Sequence, residues 1–350
     1  MQTKSFLRNT AAVLLLIFMI FGTGCKPKKD RHNLGNYKLQ YHDLTGELSV
    51  YAEKGTFTLQ DLASLKKKHG RVFQLWLNEI LDYSSYGFTN DTMVHLALSE
   101  FIERNKPVFR AVKRHYAKYP DLNERITEAF ATLDEVIGGV KQPIIYNYFS
   151  QFSNYNTFID TANGRTVVAY SSEMFMNDTF VLYKILEVPE FFNRYNSTDQ
   201  IPAMLVWNYL KGRFESEQSG KKMIDEAVFH GKIWYIMEQV FGEDEIWKQF
   251  GYTEEEWRMM LADEGQIWRN YLNNETLFST DFNEYKRFFA YGKYTYGGGV
   301  PENYPPLLGN FTGYRIVSAY IEKTEAPIGT LMKLNNGAEL LRQSAYNPIK

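Results

Sequence analysis

The sequence GNFTGYRIVSAY, residues 309–320, decides how the C-terminal half of this 350-residue chain packs. It lies within an apolar pattern that predicts a helix over residues 307–323, with Gly309 and Gly313 about one turn apart on the same face. Glycines in this spacing let another backbone approach the helix closely. Charged residues in the same pattern exclude the membrane-spanning form of the motif. We therefore expect this helix to pack tightly against a strand or a neighbouring helix.

Helical patterns dominate the chain around this stretch. Pro107 is expected to open one helix, which would end before Pro120. Thr198 or Asp199 could cap the helix that begins at that point, because both side chains can accept a hydrogen bond from the first helical turn. The predicted helices cover residues 61–69, 107–119, 122–138, 198–214, 222–241, 254–272, 307–323 and 335–343.

Two short apolar runs interrupt the helical pattern. PIIYNYF at residues 143–149 and TVVAY at residues 166–170 are β-branched and aromatic, and they predict strands. Residues 48–52 could form another short strand, whereas residues 292–306 are too rich in Gly and Pro for regular structure. No linker-like segment divides the mature chain. We therefore expect one α+β domain, predominantly helical, over residues 37–350.

The N-terminus has the pattern of a bacterial lipoprotein. A short basic start precedes an eleven-residue apolar run at residues 11–21. As a helix this run would span about 16 Å, roughly half of a bilayer core, so it is too short to cross a membrane. The small residues GTG before Cys25, the single cysteine, resemble the site at which lipoprotein signal peptides are cleaved. We predict a signal peptide over residues 1–24, lipid attachment at Cys25 and a basic tether over residues 25–36.

The net charge and the position of Cys25 limit the classes of partner that we expect for the protein. The formal net charge is -2, so no excess of Lys and Arg is present to hold a polyphosphate, and we do not expect a nucleic-acid partner. Acylated Cys25 would make the membrane itself a partner. No acidic residue directly follows Cys25, which favours the periplasmic side of the envelope over export to the cell surface. An ordinary secreted protein with an incidental cysteine is the alternative.

The motifs of common catalytic sites are missing from the sequence. No two of the six histidines are four residues apart, so the HExxH pattern of zinc peptidases does not occur. The GxSxG, P-loop and GxGxxG patterns do not occur either. Acylation would consume the only thiol. We therefore predict that the protein is not an enzyme and uses no metal or cofactor.

A series of motifs in the C-terminal half carries a resemblance to a known family. In order, the motifs are GYTEEEW at 251–257, EGQIWR at 264–269, LFST at 277–280, PLLG at 306–309 and GYRIVSAY at 313–320. Together with the N-terminal pattern, they resemble the gliding-motility lipoprotein GldB family over roughly residues 140–345. The resemblance implies an envelope lipoprotein that supports the gliding and secretion machinery, with proteins of that assembly as partners.

The GYRIVSAY block is also similar to the C-terminal motif of a related family of predicted zinc-dependent proteases. In those relatives a helix carries HExxH, and its counterpart here is IPAMLVWNYL at residues 201–210, which has no His or Glu. A catalytic zinc needs about three protein ligands, and His230 could supply only one of them. The resemblance therefore implies a metallopeptidase-like fold that lacks its metal site and is used for binding.

Five residues are candidates for a cleft or interaction surface. His230 lies where a third ligand segment would be expected, although a histidine packed within a helix is the alternative. Arg315 could point into a cleft, pair with Glu264 or remain solvated. Trp268 and Tyr314 belong to the same motifs as these two residues.

Three functions are compatible with these features. We favour a non-catalytic component of the gliding or secretion machinery. The relation to proteases suggests, as an alternative, a hydrolase that uses carboxylates or an unforeseen metal site. A glycan-binding or peptidoglycan-binding lipoprotein is the third possibility, because aromatic faces stack on sugar rings. The alternative interpretation of these tyrosines is that they only pack the Gly/Pro loop onto the body of the protein. The tyrosines around that loop are Tyr291, Tyr294, Tyr296 and Tyr304.

Overall fold

A four-stranded sheet with helices on both faces forms the N-terminal half of the structure, a computed structural model. It describes residues 37–153, 157–177, 179–215, 221–244, 246–297, 300–301 and 303–349. Cys25 and the predicted signal peptide and tether lie outside these residues. The strands are β1 (Gln40–Asp43), β2 (Ile144–Tyr148), β3 (Thr157–Ala162) and β4 (Arg165–Ser171). Their order in the sheet is β1-β2-β4-β3, with β1, β2 and β4 parallel and β3 antiparallel to β4.

Helices make up most of the described chain, as the sequence predicts. The first four are α1 (Leu44–Lys54), α2 (Leu59–Leu75), α3 (Asp91–Tyr116) and α4 (Leu122–Ile137). They are followed by α5 (Val181–Ile185), α6 (Ile201–Phe214), α7 (Met223–Phe241) and α8 (Ile246–Gln249). The C-terminal part contains α9 (Glu254–Ala262), α10 (Glu264–Asn273), α11 (Phe282–Tyr285), α12 (Leu308–Thr324) and α13 (Gly337–Ser344).

The two faces of the sheet support two hydrophobic cores. Successive residues of β4 point to opposite faces, so Val167 and Ala169 enter one core while Val168 and Tyr170 enter the other. The first core is completed by α1, α2 and α3, and the second by α4, α6, α7 and α12. This arrangement explains why β2 and β4 read as nearly continuous apolar runs, since parallel strands covered on both faces have no solvent side. Both strands were predicted.

Two other strands were missed and one predicted strand is wrong. Residues 48–52 belong to α1, which begins where the Asp43 carboxylate accepts a hydrogen bond from the Gly46 amide at 2.8 Å. Leu44, Leu48 and Ala52 are buried at the four-residue spacing of a helix face. The missed strand β1 is only four residues long, and β3 is an edge strand with polar residues, so neither carries a strong strand pattern.

Three helix boundaries also differ from prediction. Pro107 lies inside α3, which begins earlier because the Asn90 side chain caps it by accepting from the Met93 amide. The predicted helix over residues 254–272 is broken at Asp263 into α9 and α10. Thr198 does not cap α6, because its hydroxyl donates instead to the Phe175 carbonyl at 2.6 Å.

Asp199 does not cap α6 either. It lies in a short 3-10 turn, Thr198–Gln200, that runs directly into the helix. Its carboxylate accepts a hydrogen bond from the Arg125 guanidinium at 2.9 Å and so pairs α6 with α4. The start of α6 is therefore fixed by tertiary contacts, which a propensity for capping cannot reveal.

The closest helix pair in the C-terminal half is α7 and α12, and glycines make it possible. A Cβ atom added at Gly313 would lie 1.7 Å from the Ala227 carbonyl oxygen, and one added at Gly231 would lie 2.1 Å from the Gly313 carbonyl carbon. Real side chains do not tolerate such distances, so both positions require glycine. The expected tight packing of residues 307–323 is confirmed, and the neighbour is a helix.

This contact predicts a difference between two alanine substitutions one turn apart on α12. Gly313→Ala should lower the free energy of unfolding by about 2–3 kcal/mol, because the added methyl group meets backbone that can move only if the helices separate. Gly309→Ala should cost under about 1 kcal/mol, since its methyl group would meet only the Phe289 ring, which can shift, and alanine favours helix. Urea denaturation of the mature chain measures both. Equal losses would contradict the proposed contact.

Candidate functional site

Four of the five residues predicted as a site are brought together by α10 and α12. Arg315 Nε donates to Glu264 Oε1 at 2.7 Å, and the Tyr346 hydroxyl donates to the same oxygen at 2.8 Å. The Trp268 ring meets the Tyr346 ring edge to face, with centroids 5.2 Å apart. Of the alternatives considered for Arg315, the structure shows pairing with Glu264. The side chain of Arg315 is 35% exposed, so the pair borders solvent.

Tyr314 extends this group of residues towards α7. Its hydroxyl donates to Glu238 Oε1 at 2.5 Å, and its ring packs against Trp234 and Phe250. Burial raises the pKa of the Glu238 carboxyl group and also that of the Tyr314 hydroxyl, which therefore stays protonated and can donate. We call Glu238, Glu264, Trp268, Tyr314, Arg315 and Tyr346 the α12 cluster. Its hydrogen bonds tie α12 to α7, α10 and the C-terminal segment.

His230 is in a different environment from the α12 cluster. Its ring stacks on Trp207 with a centroid distance of 5.3 Å and an interplanar angle of 6°. Its Nε2 atom is 3.0 Å from Glu226 Oε1, and its Nδ1 atom is buried without a hydrogen-bond partner. These contacts agree with the alternative for this residue, a histidine packed within a helix.

The sequence suggests α6 as the counterpart of the HExxH helix, and most side chains in the first part of α6 are buried in the hydrophobic core. Leu205, Val206 and Leu210 are buried in the core that also contains α7 and α12. In the ranges that the structure describes, His, Cys, Asp and Glu side chains do not form a group of three or more suited to a metal ion. The donor groups described do not fit a zinc centre with about three protein ligands.

The loop tyrosines divide into exposed and buried members. Tyr296 is 64% exposed and Tyr291 is 46% exposed, so both rings could contact a ligand. Tyr304 is buried, and its hydroxyl donates to Asp263 at 2.5 Å. The structure therefore leaves only part of this set on the surface.

A site that the sequence did not reveal lies where the parallel strands end. Because β1, β2 and β4 are parallel, their C-terminal residues meet at one edge of the sheet, where α/β proteins commonly bind ligands. Behind this edge lie two hydrogen-bonded pairs of buried hydroxyl groups. Thr45 Oγ1 is 2.9 Å from Ser172 Oγ, and Ser171 Oγ donates to Ser150 Oγ at 2.9 Å.

Glu173 completes the buried network at the end of β4. The residue is fully buried, and its Oε1 atom accepts hydrogen bonds from the Ser150 amide and hydroxyl, both at 2.7 Å, and from the Phe152 amide at 3.1 Å. Its Oε2 atom is buried without a partner. Burial raises the pKa of this carboxyl group, because the charged form is disfavoured away from water.

Two cavities open in front of this network. Their volumes are about 350 Å³ and about 200 Å³, and they share the wall residues Asp43, Tyr116 and Asn147. These three residues are distant in the sequence and meet only because β1 pairs with β2 while α3 lies across the sheet edge. Recognition of β1 would have been the signal that placed Asp43 beside Asn147. We call this pair of cavities the sheet-edge site.

The membrane anchor is the remaining predicted feature. Cys25 is outside the described residues. Within them, no helix combines the length and apolar character needed to span a bilayer.

The comparisons with known proteins identify one family. The family model described as gliding motility protein GldB matches residues 25–348. No similar curated protein and no similar solved structure were found. The relation to metallopeptidases therefore stays a prediction.

The buried Glu173 predicts an unusual pH dependence of stability. Burial raises the pKa of Glu173 in the folded protein, whereas the same carboxyl group in the unfolded chain loses its proton above about pH 4.3. Between these two pKa values, only the folded protein holds the proton. The contribution of Glu173 to stability therefore falls as the pH rises through this interval. Glu173→Gln should therefore gain stability relative to the wild type between pH 5 and pH 8. Urea denaturation at several pH values measures this difference.

Glu53→Gln is the matched control for this experiment. Arg110 donates hydrogen bonds to the Glu53 carboxylate and lowers its pKa, so removal of this charge should not produce a relative gain at higher pH. A constant difference between Glu173→Gln and the wild type from pH 5 to pH 8 would show that Glu173 titrates normally.

Proposed function

The chain belongs to the gliding motility protein GldB family, and we propose that it is a lipid-anchored, non-catalytic component of the gliding or secretion machinery of a bacterial envelope. The family match over residues 25–348 is the observation that carries this proposal. It includes nearly the whole chain after the predicted signal peptide. The envelope location follows from the same family, and the periplasmic side is favoured by the sequence around Cys25.

The start of the match supports the anchor. It begins at Cys25, the residue that would become the acylated N-terminus after cleavage of residues 1–24. One acyl chain holds a protein to a membrane only weakly, whereas a bacterial lipoprotein carries three. Such an anchor would keep the protein close to the membrane, and the basic residues of the predicted tether suit anionic headgroups.

Two features of the described residues favour binding over catalysis. The helix α6, which the resemblance to proteases suggests as the counterpart of a zinc-binding helix, contributes apolar side chains to the core. The α12 cluster is held by hydrogen bonds between three helices and borders solvent at Arg315, which suits a fixed surface for contact with an envelope protein. Arginine and tyrosine are also residue types that protein interfaces favour.

A deletion of the gene in a gliding bacterium that carries it tests this role. We expect reduced spreading or envelope secretion, restored by the wild-type gene on a plasmid. Cys25→Ser should not restore either activity and should not incorporate a labelled fatty acid, because the acylated thiol is missing.

The control is Ser5→Ala, which changes the signal peptide away from the cleavage site and should restore spreading fully. Wild-type spreading and secretion in the deletion strain would remove the proposed role in the machinery.

A further inference from the structure

The sheet-edge site has the dimensions and walls of a site for a small ligand. Its two cavities, of about 350 Å³ and about 200 Å³, meet at Asp43, Tyr116 and Asn147. Cavities of this combined size are typical of small-molecule sites. The amide oxygen of Asn147 is shielded from solvent and accepts no hydrogen bond, so the shared wall contains an unsatisfied acceptor.

The smaller cavity is lined by several tyrosines, and the hydroxyl groups of two of them donate to backbone carbonyls. The hydroxyl of Tyr41 donates to the Asn123 carbonyl at 2.6 Å, and that of Tyr116 donates to the Ser172 carbonyl at 2.9 Å. The faces of tyrosine rings attract cations, so a wall with this composition suits a positively charged group. The tyrosines of this wall are Tyr41, Tyr116, Tyr119 and Tyr170.

Asp43 gives the site an uncompensated negative charge. Among the described residues, none of the Lys, Arg or His side chains forms an ion pair with it, although its carboxyl group borders both cavities. Glu53, the other carboxylate of the larger cavity, is bonded by Arg110 at 2.6 and 2.9 Å and has Lys113 nearby. Arg110 thus pairs with Glu53, and Asp43 is the carboxylate shared by the two cavities.

Two other basic side chains line the cavities, and Lys113 lines only the larger one, not the smaller one with its wall of tyrosines. Burial lowers the pKa of His42, so its imidazole is neutral at pH 7. Burial also raises the pKa of Asp43, which a cation beside it would lower again. The larger cavity continues with Val50, Phe109 and Val112, which offer an apolar surface for the body of a ligand.

We propose that the sheet-edge site binds an alkylammonium group, with the cation between the Asp43 carboxylate and the tyrosine rings and its hydrocarbon portion against Val50, Phe109 and Val112. The N–H groups of such a ligand would donate hydrogen bonds to the Asp43 carboxylate. A sugar ring could stack on the same tyrosines, but it would leave the charge of Asp43 uncompensated.

Two sources could supply this chemistry, a free amine or the ethanolamine headgroup of a lipid. Titration calorimetry of the mature full-length chain at pH 7 with n-hexylamine tests the shared chemistry, and 1-hexanol is the uncharged comparison. We expect n-hexylamine to bind at least tenfold more tightly than 1-hexanol. Cadaverine and dihexanoyl phosphatidylethanolamine then separate the two sources, and tighter binding of either one identifies its source and supports the proposal.

Variants of two carboxylates provide the matched comparison. Asp43→Asn should weaken binding of n-hexylamine at least tenfold, and asparagine keeps the cap of α1, so the fold is preserved. Glu322→Gln should change the affinity less than twofold, because this exposed carboxylate of α12 lines neither cavity. Tyr119→Leu removes one aromatic face and should also weaken binding.

Several results would overturn the proposal. They are equal affinity for n-hexylamine and 1-hexanol, unchanged binding in Asp43→Asn, tighter binding of methyl β-glucoside than of n-hexylamine, or no saturable binding of the amine by the wild-type chain.

Discussion

The backbones of α7 and α12 touch at Gly231 and Gly313, and much of the C-terminal half depends on this contact. A single methyl group at either position would collide with backbone, so the distance between the helices is set by the absence of side chains. Tyr314 directly follows Gly313, and its hydrogen bond to Glu238 of α7 is possible because these two helices are this close. The same α7 packs against α4 and α6, which cover one face of the sheet.

The sequence predicted the features that have strong local signals. The helix over residues 307–323, its close packing and the strands β2 and β4 were all expected from periodicity and composition. The features that were missed depend on tertiary context. β1 is too short to show alternation, and Pro107 is tolerated within α3 because helix packing on both sides of it outweighs its lost hydrogen bond.

The α12 cluster and the sheet-edge site also differ in how far local sequence signals predict them. Glu264 and Arg315 belong to recognisable motifs, so their pairing was one of the alternatives that the sequence offered. The sheet-edge site combines Asp43, Tyr116 and Asn147, which come together only through strand order. Its supporting network also carries a cost, since Glu173 is a fully buried carboxyl group with one unpartnered oxygen. Carboxyl groups with perturbed pKa values cluster at functional sites, so Glu173 marks this end of the sheet as a candidate site.

Native-state hydrogen exchange tests the central structural claim, that α7 and α12 form one inseparable unit. The account predicts that amides near Gly231 and Gly313 exchange most slowly and with the same dependence on denaturant, because both helices open only in global unfolding. Fast exchange in α12 while α7 stays protected would contradict it, because the two helices would then open separately.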